Sequence, residues 1–497
     1  MNLALSLASL LVLGGTDARA ADSHYTVVVS DLHLGGDPPE AGETWSAFED
    51  FRWKADLEAF LDHIGTRADK ANWPIDLVIA GDMFELWQSS ESGSCPALDP
   101  GLGCSDSEAT IRLARILALH QAELALLGNF AAKPGHRLVI LPGNHDVALL
   151  LPGPRATLLS AFQAIPGANV IVDDDGAWLN ADGAMLVEHG HQSDPANRFP
   201  TWPKPWQSDT NGVVRLERPW GEWFVLDLFD GLEKRWPTVD NTTDDVAVAK
   251  WLWGEVTWSE RAATAWTLLG IGKTTEQKRD IANIQGSGIP WDFAAIRSAG
   301  DPLLWKLADP TARPPTPPSG DTLTRTLTDG DLAALCGRAL ERAPDQPPIC
   351  PVVSGSVASK LSDTVTGASA RRMGEYLTRR AKDLSLTSPY AYVYGHTHAA
   401  LDKIAAIDAP FQLVINDGAF QRVVSVEELR ARAGDGSPPI GLGTMTPEAL
   451  PTCYSFVETL PYASGTPSPK GRYWHRDAAG NWKQSSYASR PAGCPRG

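Results

Sequence analysis

The chain has 497 residues, enough for two or three compact units at roughly 150 residues each. Hydrophobic residues at 43% and charged residues at 21% exclude a fibrous repeat and wholesale disorder. A formal net charge of -17 disfavours a protein that binds by neutralising nucleic-acid phosphates or anionic lipid, so no nucleic-acid partner is expected.

The first 20 residues read as a signal peptide. Leu3 to Gly15 is an apolar run too short to span a bilayer, and it is followed by Ala18-Arg19-Ala20, an A-x-A cleavage site. The mature chain is then exported, periplasmic or secreted, and no later run has the length of a transmembrane helix. From there strand and helix patterns alternate. Tyr25 to Ser30 is a β-branched run that stops at Asp31, and Phe51 to Arg67 has helical spacing. Leu77 to Ala80 stops at Gly81-Asp82, Ile111 to Phe130 is helical, and Leu138 to Leu141 stops at Gly143-Asn144-His145-Asp146. Ala184 to Val187 ends at His189-Gly190-His191, and Tyr390 to Tyr394 ends at Gly395-His396-Thr397-His398. Each apolar strand delivers polar residues at its C-terminal end, where open α/β sheets place their ligand sites.

The patterns divide the chain into a first core segment over 21–191, a mostly helical insert over 192–388, a second core segment over 389–434, and a linker and tail over 435–497. The insert holds a Pro-rich stretch, Arg313 to Ser319, and a crowd of tryptophans from Trp202 to Trp258. These form either its aromatic core or an apolar surface that grips a lipid or aromatic substrate. Strand patterns are expected over Lys403 to Ile407 and Phe411 to Ile415, a helix over Val426 to Ala433, and a hairpin around Ala479-Gly480-Asn481. The six cysteines fall into three sequence-local pairs: Cys95 with Cys104, Cys336 with Cys350, and Cys453 with Cys494. Closing short loops in an oxidising compartment is the simplest of their 15 connectivities.

Asp31, His33, Asp82, Asn144, His189, His396 and His398 arrive in order at five strand ends. Seven carboxylate, amide and imidazole ligands without a thiolate suit a pair of divalent ions such as Mn, Fe, Zn or Mg, and a carboxylate such as Asp82 can bridge them. With these five motifs the sequence resembles the calcineurin-like metallophosphoesterase superfamily over Tyr25 to Asp194 and Tyr390 to about Gln421. The resemblance implies an α/β fold, a four-layer α/β/β/α sandwich, and two metal ions. It assigns Asp31, His33, Asp82 and His398 to one ion, and Asp82, Asn144, His189 and His396 to the other. His191 either assists or replaces His189. His145 matches the non-ligand histidine that meets the phosphate and protonates the leaving oxygen, with Asp146 orienting its ring. Among the branches, Asp82-Met83-Phe84-Glu85-Leu86-Trp87 looks like that of the UDP-diacylglucosamine pyrophosphohydrolases. This sequence has His145 where that branch carries Arg, and His191 where it carries Asp.

The expected activity is hydrolysis of a phosphodiester or pyrophosphate bond in a small-molecule or lipid substrate by hydroxide bridging the two metals. The alternatives are a phospholipid or lipid-linked headgroup phosphohydrolase and a metal-free binding module.

Overall fold

The computed structural model describes residues 23–36, 46–88, 95, 101–194, 197–219, short pieces between 221 and 241, and then 373–387, 389–401, 410–424, 446–462, 466–491 and 493–495. The proposed signal peptide, the Pro-rich stretch, Trp251 to Trp258, Cys336 and Cys350, and the stretches expected as a strand at 403–407 and a helix at 426–433 lie outside these residues.

The described strands form three sheets. The largest contains β1 (Tyr25–Val29), β2 (Ile75–Ala80), β4 (His136–Leu141), β5 (Val170–Val172), β13 (Cys453–Thr459), β14 (Lys470–Arg476) and β15 (Trp482–Ser486), in the order β15-β14-β13-β1-β2-β4-β5. The strands from β1 to β5 pair in parallel, whereas β13 runs antiparallel to β1. A second sheet contains β6 (Ala177–Leu179), β7 (Met185–Glu188), β10 (Ala391–Tyr394), β11 (Ala400–Leu401) and β12 (Leu413–Asp417), in the order β11-β12-β10-β7-β6. A small third sheet joins β3 (Leu102–Ser105) to β8 (Trp206–Ser208) and β9 (Val214–Glu217). The described start of the stretch expected to be helical therefore contains two strands.

Alternate side chains of each strand go to different cores, the period-2 consequence of a pleated backbone. Val27, Val29, Leu77, Ile79, Leu138 and Ile140 share a cluster with Leu57, Phe60 and Ile64 of α1 (Lys54–Ala71) and with Leu113 and Ile116 of α2 (Asp106–Leu119). Val28, Val78 and Val139 instead pack with Met185, Val187, Val393 and Ile415 of the second sheet. On that sheet's other face, Leu186, Tyr392 and Val414 meet Met373, Leu377 and Ala381 of a helix over 373–383. Strands covered on both faces read as unbroken apolar runs, which is why their sequences do not alternate. The fold class is α/β, as the sequence indicates.

The single helix expected over Ile111 to Phe130 is two, α2 and α3 (Gln121–Ala131), broken at His120. A capping box starts α2: Ser105 accepts from the Glu108 amide, and the Glu108 carboxylate accepts from the Ser105 amide. At the break, the buried His120 ring turns to Glu49 (2.9 Å) and to the Gly35 carbonyl (3.1 Å), contacts that local periodicity does not reveal. Burial opposes the imidazolium, but Glu123 and Glu49 outweigh it and hold its pKa up at about 10. A pKa raised on folding adds stability that is complete below the unfolded value of about 6.5 and is lost as pH rises through the folded value. The urea midpoint of the wild-type chain should therefore fall between pH 6.5 and about 10 more steeply than that of His120→Gln. Parallel curves for the two proteins would show that His120 carries no such charge.

The tail hairpin is present, with β14 and β15 joined through 477–481 and continuing the largest sheet beyond β13. Disulfides join Cys95 to Cys104 and Cys453 to Cys494, with Cα atoms 4.8 and 5.4 Å apart. Asn241 of the Asn241-Thr242-Thr243 sequon is buried, and its Nδ2 donates to Gln421 at 3.1 Å, so a glycan has no access to that atom in the fold.

Candidate metal centre

Five parallel strands, β1, β2, β4, β7 and β10, deliver their following residues to one place. Pairing of β1 with β2 keeps a constant register from Tyr25↔Ile75 to the isolated bridge Leu34↔Phe84, so the two chains stay side by side beyond the strand ends. His33 N donates to Asp82 O and Glu85 N donates to Leu34 O. Left-handed backbone is rare outside glycine, yet Asp31 (φ 56°), His33 (49°), Asp82 (50°), His396 (71°) and His398 (53°) all adopt it. Only Asn72 and Ser385 join them among the described non-glycine residues, so the strain concentrates at this site, as it does at functional sites generally. Gly143 is required by close approach: a Cβ there would run into the Asp82 carboxylate.

Two groups of side chains face one another. In the first, Asp31 Oδ1 lies 3.8 Å from His33 Nε2 and 3.3 Å from His398 Nε2. In the second, His189 Nε2 lies 2.9 Å from Asp82 Oδ2 and 3.0 Å from Asn144 Oδ1, with His396 alongside. Asp82 faces both groups, since Oδ2 is also 3.9 Å from His33 Nε2. Partners behind the rings fix their tautomers. The Ala80 carbonyl takes the proton on His189 Nδ1 (2.9 Å), and Glu85 Oε2 takes that on His33 Nδ1 (3.1 Å), which leaves both Nε2 lone pairs directed inward. Asp194 Oδ2 receives His396 Nε2 at 3.1 Å, leaving the lone pair on Nδ1.

Asp31 Oδ1 and His33 Nε2 are buried and have no hydrogen-bond partner among the described residues. An orphaned carboxylate oxygen and an orphaned imidazole lone pair a few ångströms apart are what a shared cation satisfies. The donor set therefore fits a divalent ion. The charges reinforce this. Burial disfavours the His189 imidazolium, but Asp82 and Asp31 hold its pKa up at about 9, and the surrounding imidazoles draw Asp31 and Asp82 well below the usual carboxylate range despite burial.

His191 belongs to neither group. It lies 5.4 Å, ring to ring, from His189 and packs edge-on against Trp202 (4.6 Å) and Phe199 (5.7 Å). Burial, followed by the neighbouring His189 and His396, pushes its pKa well below the ordinary value.

His145 is stacked on Trp87, with centroids 3.9 Å apart, and its amide donates to Asp82 Oδ1 at 2.8 Å. The expected link from Asp146 to this ring is not what the structure shows. The Asp146 oxygens accept from the backbone amides of Asp82, Met83, Phe84 and Gly143, at 2.6 to 3.2 Å. Asp146 thus ties the loop after β4 to the loop after β2. Burial and the Asp82 charge push its pKa up to about 7 against the pull of those amides. Glu85 orients His145 instead: Oε2 lies 2.5 Å from His145 Nδ1, while Oε1 accepts from the Trp87 and Gln88 amides. Burial raises the Glu85 pKa, but His145 and His33 outweigh it and hold it at about 2, so the carboxylate stays ionised.

Residues 24–252 match the sequence model of the calcineurin-like phosphoesterase family. Over that stretch, just under half of the chain, the sequence is similar to calcineurin-like phosphoesterases. This family comprises metal-dependent phosphoric ester hydrolases, and the chain is accordingly an enzyme of that class. No curated protein and no solved structure matches it. The family match ends before β10, so His396 and His398, which lie beside Asp82 and His189 and beside Asp31 and His33 respectively, stand beyond the matched residues. Sequence reasoning missed Glu85 as the partner of His145, together with the contact of Asp194 to His396. For Glu85 a signal existed, since it stands three residues after Asp82 in the same strand-end turn.

Proposed function

We propose that the enzyme hydrolyses a phosphodiester or pyrophosphate bond outside the cytoplasm, with His145 as the acid for the leaving oxygen. The observation that carries this reading is the His145 ring itself. Glu85 holds Nδ1 from a fully enclosed position, Trp87 supports one face, and the side chain keeps 17% of its surface open. Nε2 is thus the edge available to substrate. Asp31, His33, Asp82 and His398 would hold one divalent ion, and Asp82, Asn144, His189 and His396 the other.

When bound, such ions polarise phosphoryl oxygens and allow hydroxide to form at neutral pH. The chain's own part is positional. The strand ends bring the proposed ligands together, Glu85 orients the His145 ring through Nδ1, and that ring passes a proton from Nε2 to the departing oxygen. Proton donation matters most where the leaving group is a poor one, which favours a diester or pyrophosphate of an ordinary alcohol or phosphate. Beside His145 lies a small cleft of about 20 Å³ whose wall includes Leu86, Trp87, Val147 and Leu216 together with Arg112 and Glu222. The Gly81 to Trp87 motif supports the same choice through its likeness to the pyrophosphohydrolase branch. Export is supported by the two disulfides, which persist in oxidising compartments, and no described helix is long and apolar enough to cross a membrane.

The test is a metal-reconstituted assay on matched aryl phosphate monoesters, diesters and pyrophosphates. Higher kcat/KM on the diester or pyrophosphate is expected, and preference for the monoester would overturn the substrate assignment.

A further inference from the structure

Asp31 has two distinct sides. Oδ1 faces His33 and His398, whereas Oδ2 accepts the His396 amide at 3.0 Å and a hydrogen bond from the Ser30 hydroxyl. Ser30 Oγ is also 2.8 Å from Oδ1 of Asp417, at the end of β12, and 3.2 Å from the Gly418 carbonyl. Asp417 is completely buried, and its Oδ2 has no hydrogen-bond partner among the described residues.

Counting protons decides how this group is wired. Ser30 has one hydroxyl proton and three acceptors within reach, the closest being Asp31 Oδ2. If that proton goes to Asp31, the 2.8 Å contact with Asp417 needs a second proton, and among the described residues the group that can supply it is the Asp417 carboxyl. Two ionised carboxylates on one buried hydroxyl, with one oxygen unpaired, would leave charge uncompensated in the interior. Burial, and then the Asp31 charge, push the Asp417 pKa well above the usual carboxylate range, in the same direction.

Neighbouring backbone is shaped to keep the group tight. A Cβ on Gly395 would run into Ser30 Oγ and Asp31 Oδ2, and a Cβ on Gly418 would run into Ser455 Oγ. Ser455 in turn bonds both the amide and the carbonyl of Ala419, and the Phe420 amide donates to the Ser30 carbonyl.

We infer that Ser30 and Asp417 are positioning residues for the metal centre: Asp417 donates to Ser30, Ser30 donates to Asp31 Oδ2, and Asp31 Oδ1 is thereby aimed at the ion. This rests on the reading of Asp31 as a ligand. Hydrogen bonds behind a ligand orient it, and their loss typically weakens metal affinity roughly 10- to 100-fold.

The test is equilibrium titration with Mn²⁺ of the metal-stripped full chain, comparing wild type with Ser30→Ala, Asp417→Ala and Asp417→Asn, with thermal unfolding recorded alongside. Wild type should bind two ions. Ser30→Ala and Asp417→Ala should each weaken one ion roughly 10- to 100-fold and spare the other. Asp417→Asn should stay close to wild type, because its amide can donate to Ser30 as a carboxylic acid does. That rescue is the readout a purely structural role would not give. Wild-type affinity for both ions in the two alanine variants would overturn the proposal, as would an asparagine variant as weak as alanine. A wild-type chain that takes up no Mn²⁺ would overturn the ligand reading beneath it.

Discussion

Asp82→Ala is expected to strip the centre of both ions and to lower hydrolysis by roughly 10³- to 10⁵-fold, the equivalent of several kcal/mol of lost transition-state stabilisation. Asp82 is singled out because its carboxylate faces both ligand groups and its Oδ1 also accepts the His145 amide. Removing it loosens the ligands and the acid together. The loop itself should persist, because Asp146 holds the amides of residues 82, 83 and 84 independently of the Asp82 side chain. Metal content by elemental analysis should fall from two ions per chain towards none while far-ultraviolet circular dichroism stays unchanged. Two tightly held ions in the variant would remove Asp82 from the bridging position. The net charge of -17 adds a second effect: without the dications, an anionic ester meets a repulsive field, so substrate binding should be lost along with turnover.

The second large effect separates acid from ligand. His145→Ala should keep both ions and lose roughly 10²- to 10⁴-fold in rate on an alkyl diester, with a much smaller loss on a nitrophenyl ester that needs no proton. Glu85→Ala should differ in kind. Its Oε2 lies 3.1 Å from His33 Nδ1 as well as 2.5 Å from His145 Nδ1, so the variant should show the same dependence on the leaving group and also bind metal roughly 10- to 100-fold more weakly. The pair of measurements is a slope of rate against leaving-group acidity and a metal titration. Equal losses of His145→Ala on activated and unactivated esters would remove it as the acid. An unchanged titration for Glu85→Ala would confine Glu85 to His145.

The convergence of the proposed ligands was legible because a strand buried on both faces is an apolar run, and a polar residue that ends it stands at a sheet edge. What lay one contact further away was not. Asp146 follows His145 directly, so adjacency made it the natural partner, but four amides from two loops take up its carboxylate. Glu85 reaches the ring only because β1 and β2 keep their register past their ends, a tertiary fact. The break at His120 depends on Glu49 in a distant loop. The aromatic and polar alternation of the tail marked a hairpin without naming its neighbour. That neighbour, β13, docks on β1 and joins Tyr25 to Glu458, 433 residues apart, and no local pattern carries such a distance.

That docking gives the last strands an influence on how the chain behaves before it is finished. β1, which carries Asp31 and His33 at its end, is flanked by β2 on one side and by β13 on the other. Until β13 arrives, β1 is an outer strand of valines with its amides and carbonyls bare along one side, the kind of surface that recruits strands from other molecules. A chain shortened to end before Cys453 would therefore keep every proposed metal ligand and the proposed acid, yet present a self-adhesive border. Its loss of activity would come from clumping rather than from missing chemistry.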